Sequence, residues 1–255
     1  MGPGYGCGEL TVVAEPNPQS PIVRERVGDV AILRLNRPDK RNALDSAGLA
    51  VLVAALDELA ADESLRVLVL STTSSAAFCA GADVGEVLDA DRGVARMHSF
   101  TRLYAAIAQF PVPTIAVCAG SCVGAGAEIA AGCDLRVGGE NVKLSWAGGR
   151  LGVPVGPARL TPLVGLSRAK DLVFTGRVLG VAEAESCGLF QRTAAAEDAE
   201  AAALELANAV AAQSPSGTRT LKRMFCDLES TAQRVAYENE RLMQFQRHGT
   251  GLPTG

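Results

Sequence analysis

Apolar and polar positions along the chain follow two different periods, and the switches between them mark the elements. Residues 22–27 and 30–35 are strand-like runs separated by Gly28-Asp29, a two-residue hairpin signal. Asn36-Arg37-Pro38-Asp39 then breaks the sheet. From 46 to 61 the apolar residues Leu49, Leu52, Val53, Leu56 and Leu59 recur at helical spacing, with Asp45 placed to cap the first turn. Residues 67–70 are a short continuous apolar run, the pattern of a strand buried on both faces. A loop rich in Ser, Thr, Ala and Gly runs on to Asp83, and 92–109 reads as a helix. Beyond Pro111 and Pro113, 114–117 is another buried strand, and 120–126 is a loop of small residues leading into an Ala-rich helix. Residues 134–137 and 142–145 are further strands about a Gly-Gly turn. From Pro157 onward the pattern is mostly helical, with long segments at 197–213 and 230–246. Strands alternating with helices, followed by a helical tail, predict an α/β protein whose sheets are covered. The expected organisation is a leader over 1–20, an α/β core over 21–195 and a helical region over 196–255.

Composition narrows the function classes. The 255 residues are 48% hydrophobic and only 4% aromatic, so the core is built mainly from Ala, Val and Leu. A net charge of -4 argues against a nucleic-acid groove, which needs a basic face. No apolar run approaches the length of a membrane span. Residues 1–20 lack the basic and apolar regions of a signal peptide. Seven Cys, an odd number without CxxC spacing, and two His (His98, His248) make a metal centre or a disulfide framework a poor expectation. Buried thiols in a cytoplasmic protein are expected instead, with both His at the surface.

The chemistry lies in the Gly-rich loops. A dinucleotide fingerprint fails because Ile129 stands where G-x-G-x-x-G requires its third Gly. A P-loop fails because no Gly-Lys-Ser/Thr follows. Ser121 follows Gly120 directly, which does not match the G-x-S-x-G of a nucleophile elbow. A third reading takes two loops together. Phe78-Cys79-Ala80-Gly81-Ala82-Asp83 follows one buried strand and Gly124-Ala125-Gly126-Ala127-Glu128 follows the next. Loops at the carboxyl ends of neighbouring strands can aim two backbone N–H groups at one point. The second donor starts a helix, where the dipole favours negative charge. That is how an oxyanion hole is built. Glu128, three residues beyond Ala125, shares its helix face and leans back toward the same point. Its neighbours Ala127, Ile129, Ala130 and Ala131 read as buried, where an idle charge is costly.

These motifs resemble enoyl-CoA hydratase/isomerase sequences of the crotonase superfamily. The resemblance rests on Asn36-Arg37-Pro38-Asp39-Lys40-Arg41-Asn42-Ala43-Leu44, on 78–83, on 124–128 and on Cys133-Asp134-Leu135-Arg136, in the family's order. It implies a crotonase (ClpP/crotonase-like) fold with a repeated ββα spiral core, acting on acyl-CoA thioesters. It also implies a homo-trimer or dimer of trimers held by the helical region, with coenzyme A entering as part of the substrate and no separate cofactor. By resemblance, the N–H groups of Ala82 and Ala125 form the oxyanion hole and Glu128 is a catalytic acid/base. Ala80, Gly81, Asp83 and Gly124 belong to the substrate site, and Ala43 to the turn lying against the adenine. Lys40 and Arg41 either reach the CoA phosphates or are solvated loop charges.

The chain departs from the family at two points. Gly148 stands where hydratases carry their second Glu, and syn hydration uses two carboxylates. A Glu introduced there is expected to meet backbone angles closed to it, or a space filled by Trp146. Glu86, Asp89 and Asp91 are alternative acids. The terminal helix that walls the family's CoA pocket is also expected to be missing after Gly249-Thr250-Gly251. An enoyl-CoA hydratase-like lyase with one recognisable Glu is therefore the leading expectation. The alternatives are an isomerase, a thioester hydrolase or a non-catalytic acyl-CoA binder.

Overall fold

A computed structural model describes residues 19–254, so the expected leader lies almost wholly outside the described residues. The hairpin predicted around Gly28-Asp29 forms from β1 (Ile22–Val27) and β2 (Val30–Leu35), paired antiparallel. Asp45 caps α1 (Ser46–Ala60) by accepting the Gly48 N–H, as its position predicts. Three turns of a spiral follow. β3 (Val67–Thr72) leads to β4 (Ala77–Cys79) and α2 (Ala90–Ala108); β5 (Thr114–Cys118) leads to β6 (Ser121–Val123) and α3 (Ala125–Gly132). β7 (Leu135–Gly139) leads to β8 (Lys143–Ser145), a 3₁₀ turn over Ala147–Leu151 and α4 (Pro157–Val164). This is the expected ββα repeat.

The first strand of each repeat enters a six-stranded sheet of order β1-β2-β3-β5-β7-β9, with β9 at Arg192–Ala194, parallel except for the hairpin. The second strands form a small parallel sheet, β4-β6-β8. Sequence pattern read β4 and β6 as loop, because three residues carry too little alternation to register as strand. Their pairing is supplied by neighbours distant in sequence.

Strand periodicity divides the core. Val30, Ile32, Val67, Val69, Ile115 and Val117 face α7 (Ala199–Ala211) and pack on its Ala199, Ala203 and Ala207. The alternate residues Leu33, Leu68, Leu70 and Ala116 face α1, α2, α3 and the small sheet. The helical region adds α5 (Leu166–Thr175), α6 (Val181–Ser186), α8 (Pro215–Leu228) and α9 (Thr231–His248), and α9 packs along α2. Cys79, Cys118, Cys122 and Cys133 are buried and Cys187 and Cys226 half-buried, all with free thiols. His98 and His248 are exposed, as expected.

Candidate active site

All three strands of the small sheet run parallel and end at one place. β4 delivers Ala80, Gly81 and Ala82, β6 delivers Gly124 and Ala125, and β8 delivers Ala147 and Gly148, all onto the wall of one cavity of about 200 Å³. Met97, Phe100 and Tyr104 of α2 form another wall. These are spaced three and four apart, so one helix face presents all of them. Leu151, Val153, Val155 and Leu242 complete it together with Leu252. Among the described residues no helix follows α9, in line with the expectation, but the segment after it folds back and adds Leu252 to the wall, with the Leu252 N–H donating to Gln246 Oε1 at 3.1 Å.

The two loops approach closely because small residues permit it. Gly81 has φ of +111°, and a Cβ built there would lie 3.2 Å from the Val123 carbonyl oxygen and 3.8 Å from the Ala125 nitrogen. Gly126 sets the next contact: a Cβ on it would meet the Cys79 carbonyl oxygen at 2.3 Å. The 80–83 loop is tied outward rather than inward. Leu44 N–H donates to Gly81 O at 2.8 Å and Asp83 N–H donates to Leu44 O at 2.9 Å, a pairing that leaves the Ala82 N–H out. In α3 the first intrahelical donor is Glu128 N–H, to Gly124 O, so the Ala125 N–H is one of the helix's orphan donors. The expected pair of N–H groups thus stands on the wall of one cavity without an identified protein acceptor among the described residues.

The 38–44 turn is fastened to this loop by Arg37, which the sequence reading did not single out. Its guanidinium contacts Asp83 and Asp45, each at 3.1 Å, and donates to Ala43 O at 2.6 Å. Asp83 is therefore engaged by a cation of its own chain. Asn42 is buried and saturated, accepting the Arg37 N–H and donating to Thr72 Oγ1 and Ala77 O. Lys40 and Arg41 are exposed and do not line the cavity.

Glu128 lies elsewhere than its spacing suggests. Its side chain is buried but is not part of the cavity wall. Oε2 accepts from Arg159 Nε of α4 at 2.8 Å, and Oε1 has no hydrogen-bond partner among the described residues. Arg159 also pairs with Glu238 of α9 and sits over the Tyr104 ring, 4.4 Å from its centroid. Burial pushes the Glu128 carboxyl up to about 7; Arg159 opposes that shift and Glu238 adds to it. The sequence held one signal for the cluster. Val235, Glu238 and Leu242 lie three and four apart, so Glu238 interrupts an apolar stripe, as a buried and paired acid does.

The alternative acids are accounted for. Glu86 accepts from the Ser46 N–H and pairs with buried Arg96 at 3.2 Å, and it does not line the cavity. Asp89 caps α2. Asp91 is exposed in the first turn of α2. Gly148 does line the cavity, but the expectation about its backbone is corrected: its φ is not positive, and neither is that of Gly149. The obstacle at 148 is crowding: a Cβ there would lie 2.8 Å from Val155 Cγ1 and 3.1 Å from the Val153 carbonyl oxygen.

The family model for enoyl-CoA hydratase/isomerase matches residues 25–249. A probable enoyl-CoA hydratase of Mycobacterium tuberculosis is 35% identical over 204 residues, 79% of each chain. The 2,3-dehydroadipyl-CoA hydratase of Escherichia coli is 32% identical over 225 residues, 87% of this chain and 88% of that one. Among solved structures, a putative enoyl-CoA hydratase/isomerase family protein from Hyphomonas neptunium superposes with a TM-score of 0.75 at 32% identity. That match covers 86% of this chain and 90% of the other.

Proposed function

This chain belongs to the enoyl-CoA hydratase/isomerase family, and from that premise we propose that it holds acyl-CoA thioesters with their carbonyl oxygen between the N–H groups of Ala82 and Ala125. The observation that carries this reading is that Ala82 and Ala125 both line one apolar cavity while neither N–H has a protein acceptor among the described residues. Two N–H groups fixed by backbone pairing meet a developing oxyanion without reorganising, which is where such sites gain most of their effect. Glu128, buried behind the cavity wall, is the carboxylate assigned as acid/base in this reading, with Oε1 bare and a carboxyl near 7. A group poised there both takes and returns a proton at neutral pH.

Gly148 and the engaged Glu86 favour reactions that need a single carboxylate. In a double-bond shift, Glu128 removes the proton from the carbon next to the thioester carbonyl, the negative charge passes to the oxygen between Ala82 and Ala125, and the same carboxyl returns the proton two carbons further along. Hydration needs a second group to orient water, so crotonyl-CoA is hydrated slowly. The apolar wall, without a cationic side chain, suits a hydrocarbon acyl chain rather than the dicarboxylic one named for the Escherichia coli relative.

The chain is further proposed to assemble as a trimer or dimer of trimers, supported by the exposed apolar residues Leu221, Met224, Phe225 and Leu228 on α8. Among the described residues no helix is long and apolar enough to cross a membrane. The free thiols support a reducing, cytoplasmic compartment. Light scattering at micromolar concentration tests the assembly, and a clean monomer refutes it. The activity is tested with 2-enoyl- and 3-enoyl-CoA substrates. Turnover lost in Glu128→Gln is expected, with crotonyl-CoA hydration below the ~10 per second of ordinary enzymes. Failure of every CoA thioester to bind at millimolar concentration contradicts the reading.

A further inference from the structure

Three buried charged side chains meet behind the cavity: Glu128 from α3, Arg159 from α4 and Glu238 from α9, exposed by 0%, 2% and 5%. The two carboxylates are not equivalent. Glu238 has both oxygens engaged, Oε1 by Arg159 and Oε2 by the Ala158 N–H at 2.8 Å, in the first turn of α4. That N–H has no intrahelical partner, and the helix N-terminus favours an anion. Glu128 has one oxygen engaged and the other bare. If both acids were ionised against one guanidinium, the cluster would carry a net negative charge out of contact with water, which is costly.

We propose that Glu238, acting through Arg159, is the positioning residue that lets Glu128 both take up and give back a proton near neutral pH, with its Oε1 left free for the exchange. The proposal rests on the reading of Glu128 as the acid/base. In physical terms, Arg159 gives Nε to Glu128 and Nη2 to Glu238, with Nη1 unpartnered among the described residues, so Glu238 draws on charge that would otherwise hold Glu128 ionised. The remaining groups about α3 do not compete. Tyr104 on α2, beneath the guanidinium, is pushed well above its ordinary range by burial, and Cys79 and Cys133 are pushed up to about 12. Neither thiol nor phenol carries charge at neutral pH. The shift of Glu128 itself has the sign this arrangement requires: burial first, then Arg159 against it and Glu238 with it.

The test reads the carboxyl directly. Infrared difference spectra between wild type and Glu128→Gln, collected across pH, report the protonated Glu128 carbonyl without any substrate. The same pair is prepared with Glu238→Gln and with Glu238→Asp, and kcat and KM for an enoyl-CoA are followed against pH. In wild type the band is expected to titrate near 7. With Glu238→Gln, Arg159 serves Glu128 alone and the midpoint falls by about one unit or more, a tenfold loss of proton affinity. The limb of kcat moves with it while KM changes less than about twofold. Glu238→Asp keeps the charge and restores the wild-type midpoint. A Glu238→Gln protein that loses thermal stability with the midpoint unmoved overturns the proposal, because Glu238 is then only a structural ion pair. Should that variant not fold, the wild-type spectrum decides: a carboxyl titrating near 7 supports the shared-arginine account, and one fully ionised by pH 5.5 overturns it. A midpoint that moves as described in a protein that turns over no enoyl-CoA upholds the linkage and refutes the acyl-CoA reading separately.

Discussion

At the scale of single residues, Gly148 stands on the cavity wall, where the proposed function lacks a second carboxylate, and Val155 occupies the space a side chain there would need, with Cγ1 2.8 Å from the Cβ position. Gly148→Glu alone is therefore expected to strain the wall, costing about 1–3 kcal/mol in chemical denaturation, and to leave crotonyl-CoA hydration near its basal rate. Adding Val155→Ala removes the obstructing methyl groups, and hydration in Gly148→Glu/Val155→Ala is expected to rise on the order of tenfold over the single variant. That is a modest share of the ~10²–10⁴ a well-placed acid or base supplies. Equal rates in the two variants, by absorbance of the enoyl thioester, would show that the second carboxylate is not what limits hydration. The place of residue 148 on the cavity wall was legible in the sequence because the resemblance puts a site residue there. Its obstacle was not, since Val155 is brought opposite by a turn that no periodicity encodes. Arg159 likewise gave no sequence signal of its own; its partners come from α3 and α9, far apart along the chain.

At the scale of elements, the spacing of the two loops on the cavity wall is a consequence of how closely α3 sits on β4. Gly126 permits that approach, with its Cβ position 2.3 Å from a backbone oxygen that cannot rotate away. Gly126→Ala should drive α3 from β4 and separate the Ala82 and Ala125 donors. A misplacement of about 1 Å can cost 10²-fold in rate, so kcat is expected to fall by roughly that factor. Helical circular dichroism should persist, since Ala is the better helix former. Retention of full activity would mean that the loops are positioned independently of this contact. Long periodic elements were the legible part of the fold: β2, α1, α2, α7 and α9 lie within a few residues of their sequence expectation. The sheet that builds the site was the illegible part. β4 and β6 are three residues each, and what makes them strands is pairing, of β4 with β6 and of β6 with β8, each across some twenty residues of chain or more.

At the scale of the whole molecule, the buried cluster links stability to pH. Glu128 has its folded carboxyl near 7, raised from an ordinary 4.5 by burial. A raised acid binds more protons folded than unfolded, so its favourable contribution is complete below about 4.5 and is lost as pH rises through 7. The shift of about 2.5 units, 7 minus 4.5, corresponds to at most about 3 kcal/mol. Glu128→Gln cannot ionise, so its melting temperature relative to wild type should climb between pH 5 and pH 8. A difference that stays flat over that range would mean Glu128 is ionised throughout. The cavity itself draws walls from the small sheet, α2, α9 and the segment carrying Leu252, so ligand binding should stabilise the fold as a unit. The central claim is that the Ala82 and Ala125 N–H groups polarise a thioester carbonyl. It is tested most directly by infrared spectroscopy of an acyl-CoA labelled with ¹³C at the thioester carbon, free and bound. The account predicts that the carbonyl stretch moves to lower frequency on binding and moves by the same amount in Glu128→Gln, since the donors are backbone. A bound thioester whose stretch stays at its value in water would contradict it.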